Sequence, residues 1–410
     1  MEDCQDNGRS SSDLIVKRMW SRGFILLCAI VFVVGLVTGP VQMLFPVYAE
    51  TILKETALFA ALLRALPIGL GGISALIGGT LSDRFGRKPA ILIGMTGAVV
   101  VGGLFTTETP LFIWGILCYE GIASGFKTAG GQTYLISVVP SNRLGVATAL
   151  YFINMTVGSA IGSAIAGEVI DRINYSTFGI GAVVLAGVFF VGACFFLPRL
   201  ARQQSSNSQR KQGGIWKSAL NIEAYIDLSR RRNIQMLIGL RVFPTYYWGS
   251  VNLLMPILIS RIAGVKATGY YGAMSLLFAF GCQLAVGRIC DAIGHRRPAL
   301  VANAIVTLLA FGMAFFHDSL IALEVFGILG AGAAWGLSTT IPRFINEFTE
   351  PHEKGHGVGL THLAWSTGFL LGYVASGFLI NFSVHVPFIV AGIFLIFSTG
   401  ITYKLFNDSI

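Results

Sequence analysis

Charged residues are scarce in this sequence, and that scarcity indicates its broad class. Asp, Glu, Lys and Arg make up 12% of the 410 residues, about half the share found in soluble domains. Hydrophobic residues make up 54%, glycine occurs 50 times and the mean hydropathy is +0.71. The composition therefore predicts a membrane protein rather than a soluble protein with a large core.

Metal-ligand spacings and catalytic arrangements are also missing. No nucleophile–base pattern and no ATP-binding motif appears, so we expect neither an enzyme nor a cofactor. The first apolar run, from Phe24, is too long for a signal-peptide core and no small-residue cleavage site follows it, so it predicts a spanning helix. The six cysteines are Cys4, Cys28, Cys118, Cys194, Cys282 and Cys290. Four of them lie inside apolar runs and are typical of buried small residues rather than of a zinc site or disulfide framework.

The net charge of +9 has an explanation that involves no nucleic acid. Twelve apolar runs are long enough to cross about 30 Å of hydrocarbon. With the N-terminus in the cytoplasm, 22 of the 29 Lys and Arg residues lie in cytoplasmic segments and four in outer loops. This asymmetry follows the positive-inside rule, so we expect both termini in the cytoplasm and the protein in the plasma (inner) membrane.

The apolar runs predict two halves of six spans each. The first half, 22–198, has spans near 22–48, 57–81, 89–106, 111–136, 145–168 and 175–197. The second, 234–405, has spans near 234–258, 267–288, 298–316, 319–342, 357–380 and 385–404. Polar tails occupy 1–21 and 406–410, and a cytoplasmic linker occupies 199–233. Within the linker, Ile215 to Leu228 is either a surface helix anchored by Trp216 and Tyr225 or part of a flexible connection.

The halves repeat one another at offsets of 208 to 211 residues. The charged stretch 78–89 recurs at 287–298, with Gly79, Asp83 and Gly86 matching Gly287, Asp291 and Gly294. The other matched sets are Gly39, Gln42 and Pro46 with Gly249, Asn252 and Pro256; Gly121 and Gly125 with Gly332 and Gly336; and Gly158, Gly162 and Gly167 with Gly368, Gly372 and Gly377. Because each half has six spans, the repeats share one orientation across the membrane.

These motifs resemble the major facilitator superfamily over residues 20 to 405. Its loop motif between spans two and three matches every fixed position from Gly79 to Lys88, and the second copy departs at Ile289 and His295. Leu117 stands where span four usually has an arginine, and Glu120 stands where a glutamine is usual. Span five lacks the proline of the antiporter motif. The resemblance implies an all-α membrane fold of twelve transmembrane helices in two pseudo-symmetric halves and secondary transport, and it does not identify the substrate.

The resemblance also implies a cytoplasmic latch. Asp83 would face the start of span eleven near Gly357, with Arg143 as a second partner, and Asp291 would by symmetry face span five near Gly145. The alternative is a simple positive topology anchor. The predicted latch comprises Gly79, Asp83, Arg84, Gly86, Arg87, Lys88, Arg143, Gly287, Asp291, Gly294 and Arg296. The repeated glycines of spans four, five, ten and eleven are expected to permit sliding contacts between the halves, or simply tight packing.

Ionisable residues inside spans indicate a solute pathway, since each is costly unless it faces a cavity or a partner. The candidates are Arg64, Glu120, Lys127, Arg241 and Glu324, with His362 more typical of a core residue. Three cations against two acids favour an anionic or zwitterionic solute, and Glu120 is the candidate proton carrier. Pocket candidates, each equally compatible with ordinary packing, are Gln42, Tyr246, Tyr247, Trp248, Asn252, Trp335 and Trp365.

We therefore expect a monomeric secondary transporter that moves a small organic solute by alternating access with proton coupling. Its partners would be the solute, protons or another ion, and membrane lipid. Proton-coupled multidrug efflux is the alternative, and a non-transporting receptor on the same fold is a remote one.

Overall fold

The computed structural model describes residues 20–140, 144–199, 222–350 and 354–407, with only the backbone at 76–85, 144–146, 222, 224 and 354–355. These residues form helices joined by short turns, with no strand among them. The first group comprises α1 (Arg22–Thr51), α2 (Ala57–Phe85), α3 (Arg87–Gly102, continued by a 3-10 turn Gly103–Thr106), α4 (Pro110–Val138), α5 (Leu144–Arg172) and α6 (Tyr175–Phe196). After α7 (Ile222–Arg230), the second group comprises α8 (Arg232–Ile293), α9 (Arg296–Phe315), α10 (Leu320–Phe348), α11 (Lys354–Leu379) and α12 (His385–Asn407).

Helix α8 is two antiparallel arms, named α8a before Gly264 and α8b after it. Gly264 has φ 81° and ψ 178°, so the helical path breaks there. The Thr268 hydroxyl lies 3.4 Å from the carbonyl oxygen of Pro256, twelve residues earlier, a separation of about 18 Å along a continuous helix. The turn between α1 and α2 has Lys54 at φ 57°, 210 residues before Gly264, so both halves reverse direction at the equivalent point.

The helices confirm an all-α membrane architecture but not the exact number of spans. Among the described residues, nine helices are long and apolar enough to cross a membrane, and one of them is the two-armed α8. Helices α4 and α11 are of similar length but are not among the nine. The twelve-span count therefore stays a prediction.

Successive helices run in opposite directions and define two ends of the bundle. The basic end contains the helix ends at 85–87, 138, 144, 293–296, 348 and 354, and the opposite end contains the turns at 51–57, 106–110, 172–175, 264, 315–320 and 379–385. Gly86 and Gly294 occupy matched turns at the basic end with φ 96° and 82°. An L side chain at either position would be strained, which explains why glycine recurs there.

The repeat extends to individual packing contacts. Gly158 packs on the backbone of Phe32 and Gly162 on that of Leu36, which joins α5 to α1. At an offset of 210, Gly368 packs on Val242 and Gly372 on Tyr246, which joins α11 to α8a. Glycine permits this approach because a side chain would collide with the facing backbone.

Most of the repeated glycines pack inside a group rather than between groups, which differs from the expectation of sliding contacts. Gly121 and Gly125 face α2, and Gly332 and Gly336 face α8b, in addition to the α5 and α11 contacts above. Only Gly167 and Gly377 of the set cross between groups. A Cβ on Gly167 would lie 3.1 Å from the Gly269 Cα, and one on Gly377 would lie 2.9 Å from the Leu58 Cα. Both contacts lie near the opposite end.

The described part of the linker differs in extent from the predicted surface helix. Helix α7 begins at Ile222 and ends at Arg230, and Trp216 lies outside the described residues. Tyr225 contacts the start of α11, with its ring 5.0 Å from that of His356 and its hydroxyl against Gly359. Tyr225 thus packs on protein, where a membrane anchor was one expectation.

Candidate functional site

A cavity of about 480 Å³ lies between the two groups on the side of the basic end. Helix α5 contributes an apolar wall, and α8a, α8b and α10 contribute the wall that carries most of the polar groups. Its lining comprises Ala149, Phe152, Ile153, Met155, Thr156, Arg241, Leu276, Ala279, Phe280, Gln283, Leu284, Trp335, Ser338 and Thr339. The cavity is large enough for a small organic molecule.

Arg241 is the only ionisable residue in that lining. It lies on α8a nine residues beyond Arg232, which places it about 13 Å into the bundle. Its Nη1 donates to the Ser338 hydroxyl at 2.8 Å, and its buried Nε has no hydrogen-bond partner. Among the described residues, no carboxylate lies within 4.0 Å of it. A partly buried cation without a counter-ion is incompletely satisfied, so the Arg241 guanidinium retains unused hydrogen-bonding capacity.

Three tryptophans surround Arg241 in a smaller adjoining pocket that shares Arg241, Trp335 and Ser338 with the main cavity. Trp248 and Trp335 make an edge-to-face contact at 6.0 Å between ring centroids. Trp365 also lines this pocket and stacks on His362 at 5.7 Å. The Trp335 Nε1 is buried without a partner. The pocket thus offers aromatic surfaces and unused hydrogen-bond donors.

The structure brings Gln42 and Asn252 together directly. The Gln42 Nε2 donates to the Asn252 Oδ1 at 3.2 Å, and the two residues are equivalents at an offset of 210. Equivalent residues of two parallel repeats contact each other where the pseudo-two-fold axis passes. The pair therefore marks the centre of the bundle.

Other pathway candidates lie elsewhere. Tyr247 is fully buried, with its hydroxyl against Gly330 of α10, and Tyr246 contacts the Phe394 ring at 4.8 Å. The Lys127 Cβ faces Gly94 of α3, and Glu120 lies one turn from Ala123 on the same α3-facing side. Glu324 lies near Tyr271, within the second group. None of these five lines the cavity.

Arg64 lies apart from Arg241, at the junction of α2 with α11. Its guanidinium lies beside the Tyr373 hydroxyl, and its Nε is buried without a hydrogen-bond partner. Ala61, one turn before Arg64, is fully buried against Gly377. Arg64 therefore lies at the contact between the two groups, with its Nε buried and the residue as a whole partly exposed.

Ion pairs join the groups at the opposite end. Arg261 of α8a donates from Nε to the Glu50 Oε1 of α1 at 2.8 Å. Lys266 of α8b pairs with Glu168 of α5 at 2.9 Å, and the Tyr270 hydroxyl donates to the same carboxylate at 2.8 Å. Together with the Gly167 and Gly377 contacts, these pairs close the opposite end.

The second loop motif is tied to its own group. Arg343 of α10 donates to the Asp291 carboxylate at 2.6 Å and to the Gly287 carbonyl oxygen at 3.4 Å. Arg296 binds Glu347, and the His295 Nε2 lies 2.9 Å from the same carboxylate. The observed partner of Asp291 is thus on α10, whereas symmetry suggested the start of span five.

The first loop motif is described only in part. Lys88 donates to the carbonyl oxygens of Cys194 at 2.8 Å and Leu197 at 2.6 Å, which caps the end of α6. Arg87 binds the Ser137 hydroxyl of α4. Arg143 lies outside the described residues, and only the backbone is described at Asp83, Arg84 and positions 79 and 145, so the proposed contact across the latch stays a prediction.

Sequence reasoning missed several residues at these sites. Ser338, the partner of Arg241, has no distinguishing signal because serine is common in spans. Tyr373 and Ser376 lie in span eleven, where the glycines, His362 and Trp365 were singled out instead. Glu50 and Arg261 are a charged pair beside loops at an offset of 211, close enough to the repeat offset to have suggested a contact near the axis.

Comparisons with known proteins agree with this architecture. A model described as Major Facilitator Superfamily matches residues 25–342. The uncharacterized MFS-type transporter y4rN of Sinorhizobium fredii is 23% identical over 376 residues, 88% of each chain. The sialic acid transporter NanX of Escherichia coli is 24% identical over 316 residues, 74% of this chain and 72% of that protein.

The fold is also similar to a crystal structure of a variant of the nucleoside transporter NupG. The TM-score is 0.76 at 15% identity, over 93% of this chain and 99% of that one. Since the family model spans more than three quarters of the sequence and the helices pack in the same fold, this integral membrane protein belongs to the Major Facilitator Superfamily.

Proposed function

We propose that this protein carries a small organic anion or zwitterion across the membrane by alternating access, with Arg241 as the main binding group. The observation that supports this most directly is a guanidinium at a cavity wall, bound to one serine hydroxyl and without a carboxylate within 4.0 Å among the described residues. A carboxylate or phosphate on the solute would supply the missing charge and accept from the unused donor.

The surrounding tryptophans favour a solute with a flat or apolar portion. Trp248, Trp335 and Trp365 present aromatic faces beside Arg241, and the Trp335 Nε1 needs an acceptor. A donor-rich site discriminates strongly against a solute that leaves those donors unpaired. An organic acid with a ring satisfies both features, and the sialic acid transporter named above is a relative whose stated solute is an acid.

The state described here supports an alternating mechanism. Ion pairs and glycine contacts close the opposite end, while the cavity lies between the groups toward the basic end. With the predicted topology, this is the state that faces the cytoplasm, and a rocking of the two groups about the Gln42–Asn252 contact would reverse it. In that reversed state Asp83 and Asp291 would close the latch at the basic end.

Proton coupling belongs to the same proposal. Glu120 lies ten residues into α4, about 15 Å from the start of that helix, and among the described residues no Lys, Arg or His lies within 4.0 Å of its carboxylate. We infer that Glu120 carries the coupled proton, because a carboxylate inside a predicted span is costly unless it serves the transport pathway. Glu120→Gln is expected to abolish proton-driven accumulation but to preserve solute exchange in proteoliposomes.

A matched set of solutes tests the charge preference. Benzoate, phenylalanine and benzylamine share one ring and differ in charge, and each is added to the purified protein in a thermal-unfolding assay. A ligand that binds the folded protein raises the unfolding temperature. We expect stabilisation by benzoate or phenylalanine and none by benzylamine.

Variants then assign the effect to Arg241. A hydrogen bond to a charged group contributes about 1.5–3 kcal/mol, so Arg241→Gln should weaken anion binding by roughly 10- to 100-fold. Arg241→Lys should retain part of the affinity, and Arg232→Gln, at the exposed start of the same helix, should have no effect.

Multidrug efflux is the second candidate, and the tryptophan-lined pocket is the observation that favours it. If benzylamine stabilises the protein as much as benzoate does, and Arg241→Gln changes neither, the aromatic surfaces rather than the arginine select the solute. That result would replace the anion proposal with the efflux one.

A further inference from the structure

The closed interface between α2 and α11 contains a second cationic site that the open cavity does not use. Arg64 is held there beside Tyr373, which is fully buried. Among the described residues no carboxylate lies within 4.0 Å of the Arg64 guanidinium. The Nε of Arg64 is buried and has no hydrogen-bond partner, and a buried donor without a partner is unfavourable, so this site is incompletely satisfied in the present state.

The neighbouring polar atoms on α11 also lack partners. Ser376 lies three residues after Tyr373 and therefore on the same helix face. Its side chain is 0% exposed, and its Oγ makes no hydrogen bond. The Nε of Arg64 is likewise buried and unpaired. A buried serine hydroxyl normally finds a partner, which indicates that these groups serve a different arrangement of the helices.

The position of the site shows which movement would uncover it. Ala57, Ala61 and Arg64 follow one face of α2, and the first two of these pack against Gly377 of α11. This face joins the first group to the second at the opposite end, where the Glu50–Arg261 and Lys266–Glu168 pairs also lie. Separation of the groups at that end would part α2 from α11 and expose Arg64.

We propose that Arg64, Tyr373 and Ser376 form a second anion subsite, shut in this structure and opened when the opposite end opens. The proposal rests on the proposed function, since it assigns the solute one arginine on each side of the central Gln42–Asn252 contact. Arg64 receives an anionic solute from the opposite end, and Arg241 holds it at the basic end. The carboxylate or phosphate of the solute would be bound by the guanidinium and the two hydroxyls.

A cysteine reporter at position 376 tests the proposal without a known solute. Ser376→Cys is made in the full-length chain with the six native cysteines replaced. Ser376 is fully buried in this structure, so the thiol is expected to be nearly unreactive toward methanethiosulfonate reagents. Gly167→Leu should open the opposite end, because its side chain would meet the Gly269 Cα and the Lys266 carbonyl oxygen, each 3.1 Å from the Cβ.

Matched variants separate the opening from the charge. Gly187→Leu is the control for the bulky side chain introduced by Gly167→Leu, since nothing lies within 4 Å of a Cβ at position 187. Glu50→Arg is a second way to open the same end if Gly167→Leu does not fold. Two methanethiosulfonates then report the local charge in the opened protein: the anionic sulfonatoethyl reagent and the cationic trimethylammonium reagent. The ratio of their rates, anionic over cationic, should be roughly tenfold higher than the same ratio on a free thiol. The reason is that the Arg64 charge acts at short range in a poorly screened site.

Arg64→Gln should abolish this preference and leave the reaction with a neutral reagent unchanged. Benzoate should slow the modification in the opened protein, and this protection should also disappear with Arg64→Gln. If the thiol reacts but its preference for the anion survives Arg64→Gln, the subsite does not exist. If no opening variant exposes the thiol, α2 and α11 do not part and the proposal fails.

The experiment distinguishes failure of the subsite from failure of the proposed function. The reporter measures exposure and charge at α2 and α11 and requires no transport. Failure of benzoate to bind at Arg241 would overturn the proposed function while the reactivity at position 376 still decides the subsite. Conversely, loss of the Arg64 effect with intact Arg241-dependent binding would overturn only this inference.

Discussion

The Glu50–Arg261 ion pair is expected to help hold the opposite end closed, and reversing one charge should open it. Arg261 belongs to α8a and Glu50 to α1, with Nε and Oε1 2.8 Å apart, so the pair spans the two groups. The Glu50→Arg substitution replaces this attraction with repulsion between two guanidinium groups. The control is Asp171→Arg, which reverses an exposed acid at the same end.

The magnitude follows from the exposure of the pair. The Arg261 side chain is 49% exposed and that of Glu50 is 27% exposed, so solvent screens the interaction. Exposed pairs contribute about 0.2–1 kcal/mol, and a repulsion of similar size adds to the loss of the attraction. The total is about 0.5–2 kcal/mol, which corresponds to roughly a 2- to 30-fold rise in the population open at the opposite end.

The assay is the reaction of Ser376→Cys with a neutral methanethiosulfonate. Because this thiol is buried in the closed state, its rate follows the open population. Glu50→Arg should raise the rate by the factor above, and the double variant Glu50→Arg with Arg261→Glu should return it to the parent value. An unchanged rate, or a double variant as reactive as the single one, would refute the assignment of this pair to closure.

Three further predictions concern stability, each measured by thermal unfolding in detergent. Gly294→Ala should lower the free energy of unfolding by about 1–2 kcal/mol, because the position has φ 82°. The control Gly187→Ala, which has open space around it, should be neutral or stabilising. Gly372→Ala should lower the free energy of unfolding by about 1–3 kcal/mol, because the added methyl would collide with the Tyr246 carbonyl oxygen. A melting curve like that of the parent protein would contradict that close approach. Burial lowers the pKa of His295, although Glu347 opposes the shift. The folded protein therefore binds this proton less readily than the unfolded chain, and it loses stability as the pH falls below about 6.5. His295→Gln should reduce this loss, and an identical pH profile of the unfolding temperature would contradict the prediction.

The equivalence of the two halves was predictable, and the structure extends it to single contacts that the sequence did not specify. Matching glycines at an offset of 210 predicted equivalent helices, and the structure pairs Gly162 with Leu36 and Gly372 with Tyr246. Equally, the match of Gln42 with Asn252 is a sequence fact that becomes a hydrogen bond at the axis. Repeats of this kind are recoverable because equivalent positions have the same packing constraints.

The direction of side chains around a helix was less predictable. Glu120 and Lys127 share a face by their spacing, but no local signal tells whether that face meets the cavity or α3. The hydrophobic pattern that orients a soluble helix is weak here, since lipid and the protein interior are both apolar. For the same reason Arg64 and Arg241 looked alike in the sequence.

The sequence by itself determined the class, the repeat and the topological motifs of this protein, because hydropathy, charge asymmetry and glycine spacing are properties of the linear chain. Only the tertiary structure decided which end is closed, which helix face each charge occupies, and that Arg241 lies at a cavity while Arg64 lies in a shut interface. Those features depend on how two groups of helices meet. A transporter alternates between two arrangements of these groups, and both are formed by the same residues. The sequence is therefore compatible with both arrangements, and the folded structure shows one of them.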